Sequence, residues 1–249
     1  MAIPPRRLRR REGLEGAKAD PMQLIFLHGA ASSPDIWSRQ RRHYPHAVYF
    51  TYPETDADPP HLLTEYARAV MSVMRPPAIL VGHSLGGAVA ELCATRPESR
   101  VAGLVLVGTG PRLPVNPDLL AGLIHRPSDT LDQIARWSLA KSAPPALVER
   151  SRELARAADR SLAYRQFAAC GHFDLTGAPP CPQPAAIIWG AQDRMTPPAL
   201  VRTLFSLFPD HVAEEVPEAG HLVMLEQPEA FNRALAGALA RFGWEPGAD

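Results

Sequence analysis

The sequence predicts an α/β fold: a mostly parallel sheet flanked by helices, with a helical cap inserted into it. Three observations predict it. Short apolar, strand-like runs alternate with segments of helical spacing. One such run, Ala78-Ile-Leu-Val81, ends in the tight turn Gly82-His83-Ser84-Leu85-Gly86 and leads into a helical pattern. The alternation also stops once, from about Pro111 to Cys170, where helical patterns continue with no convincing strand.

Taken along the chain, strands are expected at Gln23–Leu27, Ala47–Thr51, Ala78–Val81, Leu104–Val107, Ala185–Trp189 and near Ala213–Val216. Each is a short apolar run of the kind buried on both faces of a parallel sheet. Between them, helices are expected at Pro34–Arg42, Leu62–Met74, Leu85–Thr95, Pro197–Phe208 and Pro228–Phe242. The first has Ser33 placed to cap it and Pro34 at its first position. Within the insert, Leu131–Lys141 and Ala146–Ala158 have helical patterns. A stretch of about sixty helical residues between two strands reads as a cap over one sheet edge, because a separate domain would need its own core. The expected organisation is a disordered basic leader at 1–21, a core at 22–110 and 171–249, and a cap at 111–170.

Composition sets the outer bounds. The 249 residues carry a formal net charge of zero, so no global field points to nucleic acid or an anionic membrane. Arg6, Arg7, Arg9, Arg10 and Arg11 crowd the N-terminus, but a solvated leader explains them better than a nucleic-acid arm. No apolar region follows them as an export signal requires, and no stretch reaches the roughly 20 apolar residues of a membrane span. Three cysteines, Cys93, Cys170 and Cys181, lack metal-like spacing and favour a reducing, cytoplasmic setting. There is no dinucleotide loop and no P-loop, so no metal and no cofactor are expected. The expected partner is a small acyl substrate, with no nucleic acid or membrane and a monomeric or homodimeric chain.

The chemistry centres on Ser84. Its G-x-S-x-G setting presents a hydroxyl at the top of a sheet, with glycines allowing strand and helix to pack around a strained residue. A serine hydroxyl needs a positioned base, usually histidine oriented by a carboxylate. His221, in Glu218-Ala-Gly-His-Leu between the last strand and the final helix, is the candidate base. His83 adjoins the serine but its backbone position sends its ring away, and His28 is expected to brace a loop. His172 sits where the insert returns to the sheet, in reach of a ligand but expected to be packed. His43, His46, His61, His125 and His211 are expected in solvent. Asp193, just beyond the strand Ile187-Ile-Trp-Gly, is the candidate orienting acid, with Asp174 as its competitor. Asp210 ends a helix and is expected to be solvated. The developing oxyanion needs two N–H donors. Leu85 follows the serine, and Ala30 lies in the small-residue loop His28-Gly29-Ala30-Ala31 after the first strand.

Together these residues resemble the α/β-hydrolase superfamily from about Met22 to Phe242. The carriers are Leu27-His-Gly-Ala, Gly82-His-Ser-Leu-Gly-Gly, Trp189-Gly-Ala-Gln-Asp-Arg-Met-Thr-Pro-Pro and Ala219-Gly-His-Leu-Val-Met-Leu-Glu-Gln-Pro, with Ser84, Asp193 and His221 in that fold's order. The nearest branch is the small serine esterase, enol-lactonase and carbon–carbon hydrolase group. The resemblance implies that the 111–170 insert shapes the substrate pocket. Two departures follow. Only about 22 residues precede the first strand, so the usual first two N-terminal strands are expected to be missing and the sheet trimmed to about six, its edge covered otherwise. The loop after Ala47–Thr51 reads Tyr52-Pro-Glu-Thr-Asp where relatives often carry Pro-Gly-His, which bears on substrate fit. Serine at the turn sets the chain apart from dehalogenases and epoxide hydrolases of the same fold, which place aspartate there.

The expected activity is hydrolysis of a small or medium carboxylic ester, lactone or thioester through an acyl-enzyme on Ser84. A carbon–carbon bond hydrolase with the same triad, and a hydrolase-fold ligand receptor with little turnover, are the alternatives, because the insert rather than the triad selects the substrate.

Overall fold

A computed structural model of the chain describes residues 22–96 and 99–245, so the leader assigned to 1–21 lies outside the described residues. Six strands, β1 Gln23–Leu27, β2 Val48–Phe50, β3 Ala78–His83, β4 Val101–Val107, β5 Ala185–Gly190 and β6 His211–Val216, form one sheet. Its order is β2-β1-β3-β4-β5-β6 and every pairing is parallel. The six-stranded expectation therefore holds, and the sheet described is wholly rather than mostly parallel.

Helices α1 Pro59–Val73, α2 Leu85–Ala94, α3 Pro117–His125, α4 Pro127–Trp137, α5 Pro145–Ala157 and α6 Arg160–His172 come before β5. The single-turn α7 Pro198–Val201 and α8 Leu204–Leu207 precede β6, and α9 Val223–Glu226 and α10 Pro228–Arg241 end the order. Side-chain alternation along the strands feeds two cores. In β4, Leu104 and Leu106 pack with Leu62, Leu63 and Tyr66 of α1 and Val89 of α2. Val105 and Val107 point the other way, joining Phe231 and Leu235 of α10. Both faces of the central strands are thus dry, which is why β1, β3, β4 and β5 are largely apolar runs.

Several helices differ from their sequence expectation. Of Pro34–Arg42 only Pro34–Trp37 is helical, as one 3-10 turn; Ser33 caps it by accepting from the Asp35 amide at 3.3 Å. Trp37 is fully buried beside Phe26, ring centroids 5.1 Å apart, and this contact sets the path of the chain. The expected Pro197–Phe208 helix is two turns, α7 and α8, with Thr203 between them donating its hydroxyl to the Leu200 carbonyl at 2.5 Å. Helix α4 lies four residues earlier than expected because Pro127 starts it.

The helices α3 and α6 were not anticipated. Helix α6 shows no single apolar stripe because it serves two sides: Ala163 and Phe167 face the insert while Ala169 and Cys170 join the sheet's core. It packs against α1, so the last helix of the insert belongs to the core layer and continues to His172. Leu123, Leu131, Ile134 and Phe167 of the insert pack in a small apolar cluster. The cluster includes Ala31 of the loop after β1.

Neither edge strand is covered by a further strand among the described residues. β2 has three residues, with the Arg41 guanidinium 4.3 Å from the Tyr49 ring centroid. β6 carries the exposed Glu214 and Glu215. Brevity and charge both discourage edge-to-edge pairing.

Candidate active site

Ser84 leaves β3 with φ 54° and ψ −118°, a region a non-glycine residue enters only under constraint. The constraint is visible in its neighbours. A Cβ on Gly82 would come within 2.3 Å of the Gly86 carbonyl oxygen, one on Gly86 within 2.4 Å of Leu27 O, and one on Gly87 within 2.5 Å of Thr109 Cγ2. The turn is closed by the Ser84 amide donating to Val107 O at 2.9 Å and the Thr109 hydroxyl donating to Ser84 O at 3.0 Å. Strand β4 thereby grips the elbow from the side.

His221 follows β6 in a loop and places Nδ1 2.8 Å from Asp193 Oδ2. Their side chains are 6% and 0% exposed. The same carboxylate accepts from the Met195 amide at 2.8 Å, the Thr196 amide at 2.9 Å and the Thr196 hydroxyl at 2.8 Å. These donors fix the carboxylate's rotamer and hold Oδ2 against the ring. Nδ1 facing a carboxylate carries the proton, which leaves Nε2 as the ring's acceptor. Gly108, at φ 50°, lies against the pair: a Cβ there would sit 3.2 Å from both Asp193 Oδ2 and His221 Nδ1.

His83, expected to turn away from the serine, contacts the candidate base His221. Its Nε2 donates to the His221 carbonyl at 3.0 Å and the two rings lie 4.5 Å apart. Burial holds its pKa well below the ordinary value, so it stays neutral and does not compete for protons. His28 bonds Gly29 O through Nδ1 at 2.9 Å, and burial lowers its pKa to about 4. It braces its loop, as the sequence suggested.

Ala30 lines the same pocket as Ser84 and His221. Ala31 beside it has φ 47°, and its amide is taken by Gln166 Oε1 at 2.9 Å. Leu85 begins α2, so its N–H belongs to the first helical turn, which lacks intrahelical acceptors. The competitor acid Asp174 sits elsewhere, exposed, accepting from the Thr176 amide at 2.6 Å and paired across a β-bridge with Arg112. His172 is exposed rather than packed, which corrects that expectation. His211 is also corrected: it is half-buried, its ring stacked 4.4 Å from Phe205. His43, His46, His61 and His125 are exposed, and Asp210 pairs with Arg241 at the surface.

Three supports escaped the sequence reading: Thr196, Gln166 and Glu226. The Glu226 carboxylate accepts from the Gly220 amide at 2.8 Å and the Ala140 amide at 2.7 Å. It ties the loop holding His221 to the segment after α4. Arg194 makes a parallel tie, donating to the Arg136 and Leu139 carbonyls at 3.1 Å each. The available signal was position: Thr196 lies three residues after Asp193, and Glu226 five after His221.

A parallel sheet that gathers a strained serine and a buried imidazole–carboxylate pair beyond the C-terminal ends of β3, β5 and β6 is the architecture of a hydrolase. Residues 24–234 match the model of the Alpha/beta hydrolase family, and the chain belongs to that family. Among curated proteins it is 28% identical over 240 residues to a pimeloyl-[acyl-carrier protein] methyl ester esterase of Aromatoleum aromaticum, covering 83% of this chain and 93% of that one. It is 24% identical over 245 residues to 3-oxoadipate enol-lactonase 2 of Acinetobacter baylyi, covering 90% and 91%. Among solved structures a thermophilic esterase superposes with a TM-score of 0.74 at 26% identity, covering 90% of this chain and 92% of that one. No helix among the described residues is long and apolar enough to cross a membrane.

Proposed function

We propose that the protein is a serine hydrolase of small carboxylic esters or lactones, working through an acyl-enzyme on Ser84. The observation that carries this reading is the buried 2.8 Å Asp193–His221 contact in the same pocket as a serine held at positive φ. The esterases and the enol-lactonase among its relatives support it, since all of them cleave an acyl–oxygen bond.

In this mechanism Ser84 Oγ attacks the ester carbonyl carbon while His221 Nε2 takes the hydroxyl proton. The tetrahedral oxyanion is held by the Ala30 and Leu85 amides, each such donor contributing about 3 kcal/mol in the transition state. His221 then passes its proton to the departing alkoxide oxygen. Water attacks the acyl-enzyme by the same route, releasing the acid and restoring Ser84. The helices α4 and α5 act as the cap that bounds the acyl group. Three free, buried cysteines suit a reducing compartment as the working environment.

Hydrolysis of p-nitrophenyl butyrate tests this directly. Ser84→Ala is expected to lower kcat by roughly 10³-fold or more and to abolish labelling by a fluorophosphonate. Equal activity of wild type and variant would show that Ser84 is not the nucleophile.

A further inference from the structure

The pocket itself narrows the substrate, on the basis of the reading above. Around Ser84 it encloses a cavity of about 60 Å³, small beside the roughly 300–1,000 Å³ of pockets for drug-sized ligands. Its walls away from the nucleophile are apolar, with Ile134, Leu154, Phe167 and Met195. No Lys, Arg, Asp or Glu lines it, and the two lining histidines have their ring protons engaged: His83 Nε2–H with the His221 carbonyl and His221 Nδ1–H with Asp193. The hydroxyls on the insert are committed as well. Ser138 donates to Ile134 O at 2.9 Å and Ser151 to Ala135 O at 3.3 Å. A serine has one proton to give, so neither can solvate an anion.

We infer that the acyl group this enzyme accepts is short, apolar and uncharged, and that esters whose acyl chain ends in a carboxylate are rejected. A carboxylate entering this cavity would lose its water and find no cationic side chain in the walls to replace it. A long chain would meet Leu154 and Phe167.

The test compares p-nitrophenyl esters at matched carbon number. Valerate and hemiglutarate acyl groups both have five carbons and differ only in a terminal carboxylate. The kcat/KM for the neutral ester is expected to exceed that for the anionic one by about 100-fold or more. Within the neutral series, activity is expected to peak at acetate to butyrate and to fall by octanoate. Leu154→Ala, which removes three carbons from the wall, is expected to move that peak to longer chains. Equal rates on the two five-carbon esters, or an octanoate preference in the wild type, would overturn the inference. Ser84→Ala run on the same panel separates the two claims. Turnover that persists without Ser84 refutes the serine mechanism, whereas Ser84-dependent turnover of the anionic or long ester refutes only the pocket assignment.

Discussion

Four polar groups converge on the Asp193 carboxylate: two amides, the Thr196 hydroxyl and the His221 ring. Removing one of them without changing shape isolates its role. Thr196→Val is expected to lower kcat on p-nitrophenyl butyrate about 10-fold, the usual scale for a group that orients a ligating or basic histidine from behind. Glu91 offers a second residue-scale prediction. It is fully buried in α2 with neither carboxylate oxygen hydrogen-bonded, and burial raises its pKa well above the ordinary 4.5. The unfolded chain therefore loses this proton at lower pH than the folded chain does. Its contribution to stability is complete below pH 4.5 and is lost as pH rises through the folded pKa. Glu91→Gln is expected to raise Tm at pH 8 by several °C and to show no gain at pH 4, measured by thermal melts at both values. Ser84 and His221 stand out in the sequence as candidates because motif and position mark them. Gln166 was not, since it reaches the Ala31 amide across 135 residues.

Element boundaries depended on contacts that no local pattern contains. The 3-10 turn at Pro34–Trp37 stops because Trp37 must reach Phe26, and α6 lacks a clean stripe because it packs on two sides. The segment after α4 and the loop holding His221 meet closely: a Cβ on Gly220 would fall 2.6 Å from the Ala140 amide nitrogen. The Leu222 amide also donates to Ser138 O at 3.1 Å. Gly220→Ala is expected to push these segments apart and lower kcat at least 10-fold, a displacement of order 1 Å being enough for that. Retained kcat with a lowered Tm would mean that the junction is structural only. In contrast, the Arg156–Asp132 pair between α5 and α4 is solvent-exposed. Arg156→Ala is expected to leave Tm within about 1 °C, because exposed pairs contribute little.

For the whole molecule, the proposed function depends on the C-terminal edge of one parallel sheet, where β3, β5 and β6 lead to the candidate serine, carboxylate and imidazole, and Ser84 and His221 lie 137 residues apart along the chain. The sequence by itself determined the six-stranded α/β class, the strained elbow and the identities of Ser84, Asp193 and His221 as candidates. Those features are local: apolar period, glycine spacing and position after a strand are properties of adjacent residues. Tertiary structure alone decided that Asp193 rather than Asp174 meets the ring. It likewise decided that α6 joins the core layer, and that the pocket between elbow and insert is small and without charge. Such outcomes depend on distances between residues far apart in sequence, which exist only once the sheet has brought its strands into register and both faces have been buried.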